Sequence, residues 1–169
     1  MSEPRMRVDD PGENGTTVPR VGIAADEDEI LSALANDRIV LELGTGLGFS
    51  TRALLRGGPA AVVSVDPDPW VQREIWPTLS HVRLTCASWV PGGLYAFDLV
   101  FIDGEHTADA VERDTAIALR YHPKFIVYHD WLADPRVQEG ARKALPSNAV
   151  ISVIPTTYGL GLVRLLNTE

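Results

Sequence analysis

Three glycines at alternate positions follow a short apolar segment, and they carry the clearest chemical signal in this sequence. The segment Ile39–Leu43 contains one acid, Glu42, and the glycines are Gly44, Gly46 and Gly48. Glycine tolerates positive φ and lets a ligand approach the backbone closely. A helical pattern starts directly afterwards, and a helix N-terminus offers unpaired N–H groups to a polar ligand. The pattern therefore predicts a strand, a tight turn and a helix that together bind a nucleotide-like molecule.

An acid, Asp66, ends the next apolar segment, about 20 residues after the glycine turn. A carboxylate at that place can accept hydrogen bonds from both hydroxyls of an adenosine ribose. The same spacing serves nicotinamide dinucleotides and S-adenosylmethionine (SAM), and a turn acid before Pro67 would also show it. The glycines discriminate better, because the dinucleotide fingerprint Gly-x-Gly-x-x-Gly places its last glycine where this chain has Phe49.

The pattern Glu-x-Gly-x-Gly-x-Gly at 42–48 resembles the first motif of class I SAM-dependent methyltransferases. In that family the turn holds the methionine part of SAM. The resemblance implies a cofactor site made of Glu42, Gly44, Thr45, Gly46, Gly48, Ser50, Asp66, Pro67, Ser88 and Asp103. Within this site Asp66 would hold the ribose, Pro67 or Trp70 would pack on the adenine, and Ser88 would contact its edge. A helix-face anchor at Trp70 and a local turn at Ser88 are the structural alternatives.

A second motif, Ile-Asp-Gly-x-His, ends the apolar segment Phe97–Ile102 and contains Asp103 and His106. It resembles a group of small O-methyltransferases that includes catechol-type, antibiotic-sugar and cephalosporin-hydroxylase-like proteins. In these, the acid binds a divalent metal or lies against the amino group of SAM. Further ligands follow the fifth strand, where relatives often have two acids or Asp-Asn and this chain has His129 and Asp130. The resemblance thus implies a metal site of Asp103, His129 and Asp130.

A metal is chemically reasonable there, because a cation lowers the pKa of a hydroxyl nucleophile and orients its oxygen. Carboxylates suit Mg²⁺, whereas a histidine in the set favours Mn²⁺, Fe²⁺ or Zn²⁺. A packed core position for His129 and a capping role for Asp130 are the alternatives. His106 and Asp103 are the predicted catalytic residues, with His106 as the base because its pKa lies near neutrality. A place at a helix start, facing solvent or capping locally, is the alternative for His106.

Strand-like and helix-like segments alternate along the chain, which predicts an α/β fold with a mostly parallel sheet. Helices are predicted at 25–36, 49–56, 70–76, 108–121 and 134–145. Strands are predicted at 39–43, 60–65, 82–86, 97–102, 125–128, 149–154 and 160–166. The last two strands have no helix between them, which matches the antiparallel last strand of the methyltransferase sheet. The prediction is a Rossmann-like three-layer sandwich with seven strands. Thr156 and Tyr158, between the last strands, either line an acceptor pocket or serve the turn.

Composition restricts the function further. The chain has 169 residues, which fits one domain, and a net charge of −8, which argues against broad nucleic-acid or anionic-membrane binding. Its only cysteine, Cys86, excludes an intrachain disulfide. No signal peptide or membrane-length apolar run is present, so a cytoplasmic location is predicted. Residues 1–20 read as a flexible arm, either a disordered tail or a lid, and residues 21–169 as a single SAM-binding domain.

Together these features predict a SAM-dependent methyltransferase that methylates an oxygen of a small molecule or sugar, with Mg²⁺ or Mn²⁺ as an optional second cofactor. The expected partner is a small-molecule acceptor, without nucleic acid or membrane, and a homodimer is left open. Two alternatives remain: a non-catalytic module that binds SAM or S-adenosylhomocysteine (SAH), and a nicotinamide-dependent oxidoreductase. Phe49 and the antiparallel final strands count against the oxidoreductase. A nucleic-acid methyltransferase is disfavoured by charge and by the lack of an Asn/Asp-Pro-Pro-Tyr/Phe motif.

Overall fold

The computed structural model of the chain describes residues 22–66, 82–85 and 96–165, with the backbone alone at 82–85. Several predicted features lie outside the described residues: the arm at 1–20, the helix at 70–76, and Pro67, Trp70, Cys86 and Ser88. No helix in the described part of the chain is both long enough and apolar enough to cross a membrane.

The described residues form helices and strands close to the predicted positions. The helices are α1 (Ala25–Ala35), α2 (Phe49–Arg56), α3 (Ala108–Leu119) and α4 (Pro135–Ala144). The strands are β1 (Ile39–Leu43), β2 (Ala61–Val65), β3 (Val82–Thr85), β4 (Leu99–Ile102), β5 (Phe125–Tyr128), β6 (Ile151–Ile154) and β7 (Leu160–Arg164). Asp134 caps α4 by accepting a hydrogen bond from the Arg136 N–H at 2.9 Å.

The seven strands form one sheet in the order β3-β2-β1-β4-β5-β7-β6, which confirms the predicted fold class. Strands β1 to β5 pair in parallel, and β7 runs antiparallel to both β5 and β6. From β1 the chain builds the sheet outward in one direction, and from β4 it builds in the other. The carboxyl ends of β1 and β4 therefore lie side by side at the topological switch point, where open α/β sheets bind ligands.

Both faces of the sheet are covered, because successive residues of each central strand point to opposite sides. One core contains Val40, Leu99 and Phe101 of the sheet with Leu31 of α1 and Leu54 of α2. The opposite core joins alternate residues of the same strands to α3 and α4, and it includes Leu41, Val100, Val111, Trp131 and Val137. This arrangement confirms the three-layer sandwich. It also explains why these strands read as continuous apolar runs.

Helices α3 and α4 pack through a glycine that leaves no room for a side chain. A Cβ at Gly140 would lie 2.3 Å from the Ala108 carbonyl oxygen and 2.8 Å from the Val111 Cβ. In an unconstrained helix, alanine is preferred over glycine by about 1 kcal/mol. Here the contact reverses that preference, because the two helices would have to separate.

We expect Gly140→Ala to lower the free energy of unfolding by about 1–3 kcal/mol, the usual cost of overpacking a core. Urea unfolding followed by circular dichroism measures the change. Glu139→Ala, one residue away on an exposed side of the same helix, is the control and should change stability by less than about 0.5 kcal/mol. A Gly140→Ala protein as stable as the wild type would contradict the proposed packing.

Candidate functional site

A cavity of about 570 Å³ opens at the switch point. Its walls come from the residues before α1, the glycine turn, the segments after β4 and β5, and the turn between β6 and β7. The lining residues are Gly22, Ile23, Gly44, Thr45, Gly46, Leu47, Phe49, Ser50, Asp103, Gly104, His106, His129, Asp130, Ala133, Asp134 and Tyr158. The volume falls within the roughly 300–1,000 Å³ of small-molecule sites.

The glycine turn packs directly on the segment that follows β4. Gly44 has φ +99°, and a Cβ there would lie 2.2 Å from the Asp103 carbonyl oxygen. Gly46 has φ +49°, and within the described residues no atom beyond its chain neighbours lies within 4 Å of where a Cβ would stand. One glycine thus permits the close approach of two strand ends, and the other leaves room for a ligand beside the backbone.

Asp66 binds the turn itself. Its Oδ2 accepts hydrogen bonds from the backbone N–H groups of Thr45 and Gly46, both at 2.8 Å. These N–H groups are therefore engaged by a carboxylate of the same chain. A dinucleotide pyrophosphate would need such N–H groups for its own oxygens and would be repelled by the carboxylate beside them. This arrangement disfavours the nicotinamide alternative.

Glu42 lies beneath the turn and does not line the cavity. Its side chain is fully buried and accepts hydrogen bonds from the hydroxyls of Ser50 (2.6 Å), Thr51 (2.6 Å) and Ser64 (2.5 Å). Burial raises the pKa of Glu42 to about 7, although the three hydroxyls act in the opposite direction. Thr45 is joined to the same network, since its hydroxyl lies 2.6 Å from the Ser64 hydroxyl. Glu42 thus ties the strand, the turn and α2 together.

Two acids and two histidines meet on the other side of the cavity. The Asp103 Oδ1 lies 3.6 Å from the His106 Nε2 and 3.1 Å from the His129 Nδ1. The Asp130 Oδ2 lies 3.4 Å from the His106 Nδ1 and 3.2 Å from the His129 Nδ1. One ligand atom from each of the four lies within 4.8 Å of all the others. We call these four residues the acid–histidine cluster.

The two ring nitrogens of His129 differ: one is hydrogen-bonded and the other is not. Its side chain is only 5% exposed, and its Nε2 lies 3.0 Å from the Glu27 Oε2. Its buried Nδ1 makes no hydrogen bond, although the Asp103 and Asp130 oxygens stand nearby. Burial lowers the pKa of His129, but the Asp103, Asp130 and Glu27 carboxylates outweigh burial and raise the pKa to about 12. The three carboxylates therefore favour a positive charge at this place.

The backbone at Asp130 is strained in a way that holds the cluster. Asp130 has φ +52°, a left-handed conformation that non-glycine residues rarely adopt. His129 before it is fixed because its N–H donates to the Ile102 carbonyl at 3.0 Å. Strain of this kind persists where the surrounding structure enforces it, and such places are often functional.

His106 lies at the cavity rim, with a 30% exposed side chain, just before the residue that caps α3. Thr107 is that cap, since its side chain accepts from the Ala110 N–H at 3.3 Å. The pKa of His106 is raised by its interaction with Asp103, while partial burial opposes the rise. The predicted capping alternative for His106 therefore does not hold, and its ring is available to the cavity.

Glu27 is a residue of the site that the sequence does not single out, since it is one of three acids in the first turn of α1. The structure buries Glu27 completely against His129. The sequence contains no local signal for this contact, because the two residues are 102 positions apart. Tyr158 does line the cavity, and Thr156 reaches Glu27 instead, with its hydroxyl 2.9 Å from the Glu27 Oε1.

Comparison with known proteins gives a family. A family model described as a methyltransferase domain matches residues 41–131, just over half of the chain. The chain therefore belongs to this methyltransferase family. A search of curated protein sequences gives no significant match.

Solved structures agree with the family. A candidate O-methyltransferase from Klebsiella pneumoniae is 23% identical with a TM-score of 0.70, covering 87% of this chain and 83% of that one. The O-methyltransferase TomG from Streptomyces achromogenes, involved in tomaymycin synthesis and solved with SAM, is 21% identical with a TM-score of 0.67, covering 88% and 83%. An O-methyltransferase from Bacillus cereus solved with SAH is 18% identical with a TM-score of 0.64, covering 87% and 84%.

The family match and the shared fold confirm the predicted class, a class I SAM-dependent methyltransferase. The glycine turn, β4 and the residues after β5 all fall within the matched residues 41–131. Helix α1 and the turn between β6 and β7 fall outside them.

The buried Glu42 makes stability depend on pH. Its pKa is about 7 in the folded protein against 4.5 as the ordinary value. The stabilising effect of the protonated carboxyl is therefore complete below pH 4.5 and is lost as pH rises through 7. We expect the wild type to lose up to about 3 kcal/mol relative to Glu42→Gln between pH 4.5 and pH 8, since one pKa unit is 1.36 kcal/mol.

Urea unfolding of both proteins at pH 5 and pH 8 measures this difference. The comparison cancels the titration of all groups that the two proteins share. If the free energies of unfolding of the wild type and Glu42→Gln differ by the same amount at pH 5 and pH 8, Glu42 does not titrate as described.

Proposed function

We propose that this chain transfers a methyl group from SAM to a hydroxyl of a small molecule or sugar, with a divalent cation held by Asp103, His129 and Asp130. One observation carries the proposal: the open glycine turn and the acid–histidine cluster line the same cavity. A methyl donor at the turn and an acceptor oxygen at the cluster would then face each other at close range. Proximity and alignment alone supply much of the rate of such a transfer.

The cavity fits SAM in shape and charge. The methionine end would lie along the turn at Gly44, Thr45, Gly46, Gly48 and Ser50, and the adenosine would extend toward Asp66, Pro67 and Ser88. Open space at Gly46 supports this orientation. Asp103, Asp130 and Asp134 in the wall favour a ligand with a positive sulfonium, which is the electrophile that SAM supplies. Glu42 would support the turn from below.

The acid–histidine cluster has the donors and the spacing of a cation site. Ligand bonds of about 2.1 Å place neighbouring ligand atoms about 3.0 Å apart in an octahedral site and about 3.4 Å apart in a tetrahedral one. The His129 Nδ1 lies 3.1 Å from the Asp103 Oδ1 and 3.2 Å from the Asp130 Oδ2, and one ligand atom from each of the four cluster residues lies within 4.8 Å of the others. The orphaned Nδ1 of His129 would gain a partner. A bound cation would supply Lewis acidity that lowers the pKa of the acceptor hydroxyl.

His106 would remove the proton of the acceptor hydroxyl. Its ring lies at the rim between Asp103 and Asp130, where an acceptor can reach it. The two carboxylates raise the pKa of His106, which opposes its use as a base. A cation bound by Asp103 and Asp130 would compensate their charge and lower the pKa of His106, so that the neutral ring could act as the base. The metal and the base therefore depend on each other.

Other predictions from the sequence belong to the same proposal. We propose that residues 21–169 form one domain and that residues 1–20 are an arm beside it. A cytoplasmic location, the absence of nucleic-acid and membrane partners, and a homodimer stay predictions.

Calorimetric titration with SAM and SAH tests the cofactor. We expect micromolar binding by the wild type and at least about tenfold weaker binding by Asp66→Asn, because a hydrogen bond to a charged group contributes about 1.5–3 kcal/mol. Asp98→Asn is the matched control: its carboxylate also accepts a backbone N–H, that of Ile39 at 3.0 Å, but Ile39 begins β1 and lies at the opposite end of that strand from the glycine turn. That variant should bind SAM like the wild type.

Equal loss of SAM binding in both variants would point to a general effect on folding and would contradict the role of Asp66. No binding by the wild type would overturn the methyltransferase proposal. Binding of SAM without transfer to any hydroxyl acceptor would favour the non-catalytic module instead.

His106→Gln tests the base. We expect kcat for methyl transfer to fall about 10²–10⁴-fold, as for loss of a general base, while SAM affinity stays within about twofold. The assay uses labelled SAM with an acceptor selected from a panel of phenols and sugars. His122→Gln, at an exposed position outside the cavity, is the control. An unchanged kcat in His106→Gln would exclude His106 as the base.

A further inference from the structure

We propose that Glu27 is a positioning residue that holds His129 with Nε2 protonated and Nδ1 facing Asp103 and Asp130, so that the site takes a transition-metal ion such as Zn²⁺ or Mn²⁺ in preference to Mg²⁺. This inference rests on the metal part of the proposed function. It concerns a residue of α1, which lies outside the part of the chain that the family model matches.

Glu27 accepts hydrogen bonds from four directions and has no exposed surface. Its Oε2 receives the Ala24 N–H at 2.9 Å and faces the His129 Nε2 at 3.0 Å. Its Oε1 receives the Thr156 hydroxyl at 2.9 Å and the Tyr158 N–H at 3.1 Å. The backbone N–H groups can only donate, so the carboxyl acts as the acceptor in these contacts.

The hydroxyl of Thr156 confirms this direction. It accepts the Gly159 N–H at 3.1 Å, and its own hydrogen is therefore turned toward Glu27. With every other neighbour donating, both Glu27 oxygens act as acceptors, and the contact with His129 is satisfied in the same way when the ring donates. The Nε2 of His129 must carry the hydrogen.

The second ring nitrogen of His129 is therefore Nδ1, and it faces Asp103 and Asp130. Nδ1 stands 3.1 Å from the Asp103 Oδ1 and 3.2 Å from the Asp130 Oδ2, yet it is buried without a hydrogen bond. A carboxylate that orients a histidine whose second nitrogen binds a metal is a recurrent arrangement in metalloproteins. The buried, unpartnered Nδ1 is the observation that points to a ligand in the cluster.

The donor set decides the class of metal. Mg²⁺ prefers oxygen ligands, whereas imidazole suits Zn²⁺, Mn²⁺ and Fe²⁺. His129 supplies a nitrogen where a carboxylate or amide oxygen would favour Mg²⁺.

Glu27 also joins the cluster to the cavity wall. The same carboxylate that holds His129 binds the backbone N–H of Tyr158, and the Tyr158 ring lies 5.7 Å from the His129 ring, centroid to centroid. Tyr158 lines the cavity. Glu27, a single buried group, thereby positions both His129 and the part of the cavity wall that contains Tyr158.

The test compares the wild type with Glu27→Gln and with Glu29→Gln, an exposed glutamate of the same helix. Metal-free full-length proteins are titrated with Zn²⁺, Mn²⁺ and Mg²⁺ by calorimetry, and SAH affinity is measured on the same samples. We expect the wild type to bind Zn²⁺ and Mn²⁺ at least tenfold more tightly than Mg²⁺. Glu27→Gln should bind Zn²⁺ about 10–100-fold more weakly, as is usual when such a carboxylate is lost, with SAH affinity within about twofold. Glu29→Gln should match the wild type.

A spectroscopic measurement on the wild type keeps the inference testable even if Glu27→Gln fails to fold. In ¹⁵N NMR of the Zn²⁺-loaded protein, His129, assigned by its loss in His129→Asn, should show a protonated Nε2 and a metal-bound Nδ1. A metal-bound Nε2 would overturn the inference. So would Mg²⁺ binding as tight as Zn²⁺, an unchanged Zn²⁺ affinity in a Glu27→Gln protein that still binds SAH, or no metal binding at all. If the wild type does not bind SAH, the proposed function is refuted, whatever the metal titrations show.

Discussion

The site depends on the contact between the ends of two neighbouring strands, β1 and β4. Gly44 lies so close to the Asp103 carbonyl that any side chain at position 44 would collide with it. This contact brings the glycine turn and the acid–histidine cluster to opposite walls of one cavity. The parallel sheet makes the contact possible, because its switch point places the carboxyl ends of β1 and β4 next to each other.

Three buried or partly buried carboxylates stabilise this arrangement, each from a different side. Glu42 binds three hydroxyls below the turn, Asp66 binds two N–H groups of the turn, and Glu27 binds His129 behind the cluster. A buried carboxylate is costly unless it is hydrogen-bonded, and each of these has its partners. The negative charge that Glu27, Asp66 and the cluster acids bring to this end of the sheet favours cationic ligands, which is consistent with both a sulfonium and a divalent cation.

The fold and the strand-end residues could be predicted from the sequence because their signals are local. Parallel strands buried on both faces, such as Phe125–Tyr128, read as short apolar runs, and the chemistry lies in the residues directly after them. Asp103, His129 and Asp130 were found in this way, and the structure brings them together. Glu27 could not be found, because an acid near a helix start is normally exposed and its partner is far away in sequence. The burial of Glu42 beneath the turn, rather than in the cavity, also depended on tertiary contacts with Ser64 and Thr51.

The central claim is that the glycine turn and the acid–histidine cluster form the two halves of one methyl-transfer site. A crystal structure of the protein with SAH and Zn²⁺ tests it most directly. We expect the homocysteine of SAH along Gly44–Gly48, its sulfur facing the cluster, and the ion bound by Asp103, Asp130 and the His129 Nδ1. SAH bound at another place, or a sulfur that faces away from the cluster, would contradict the account.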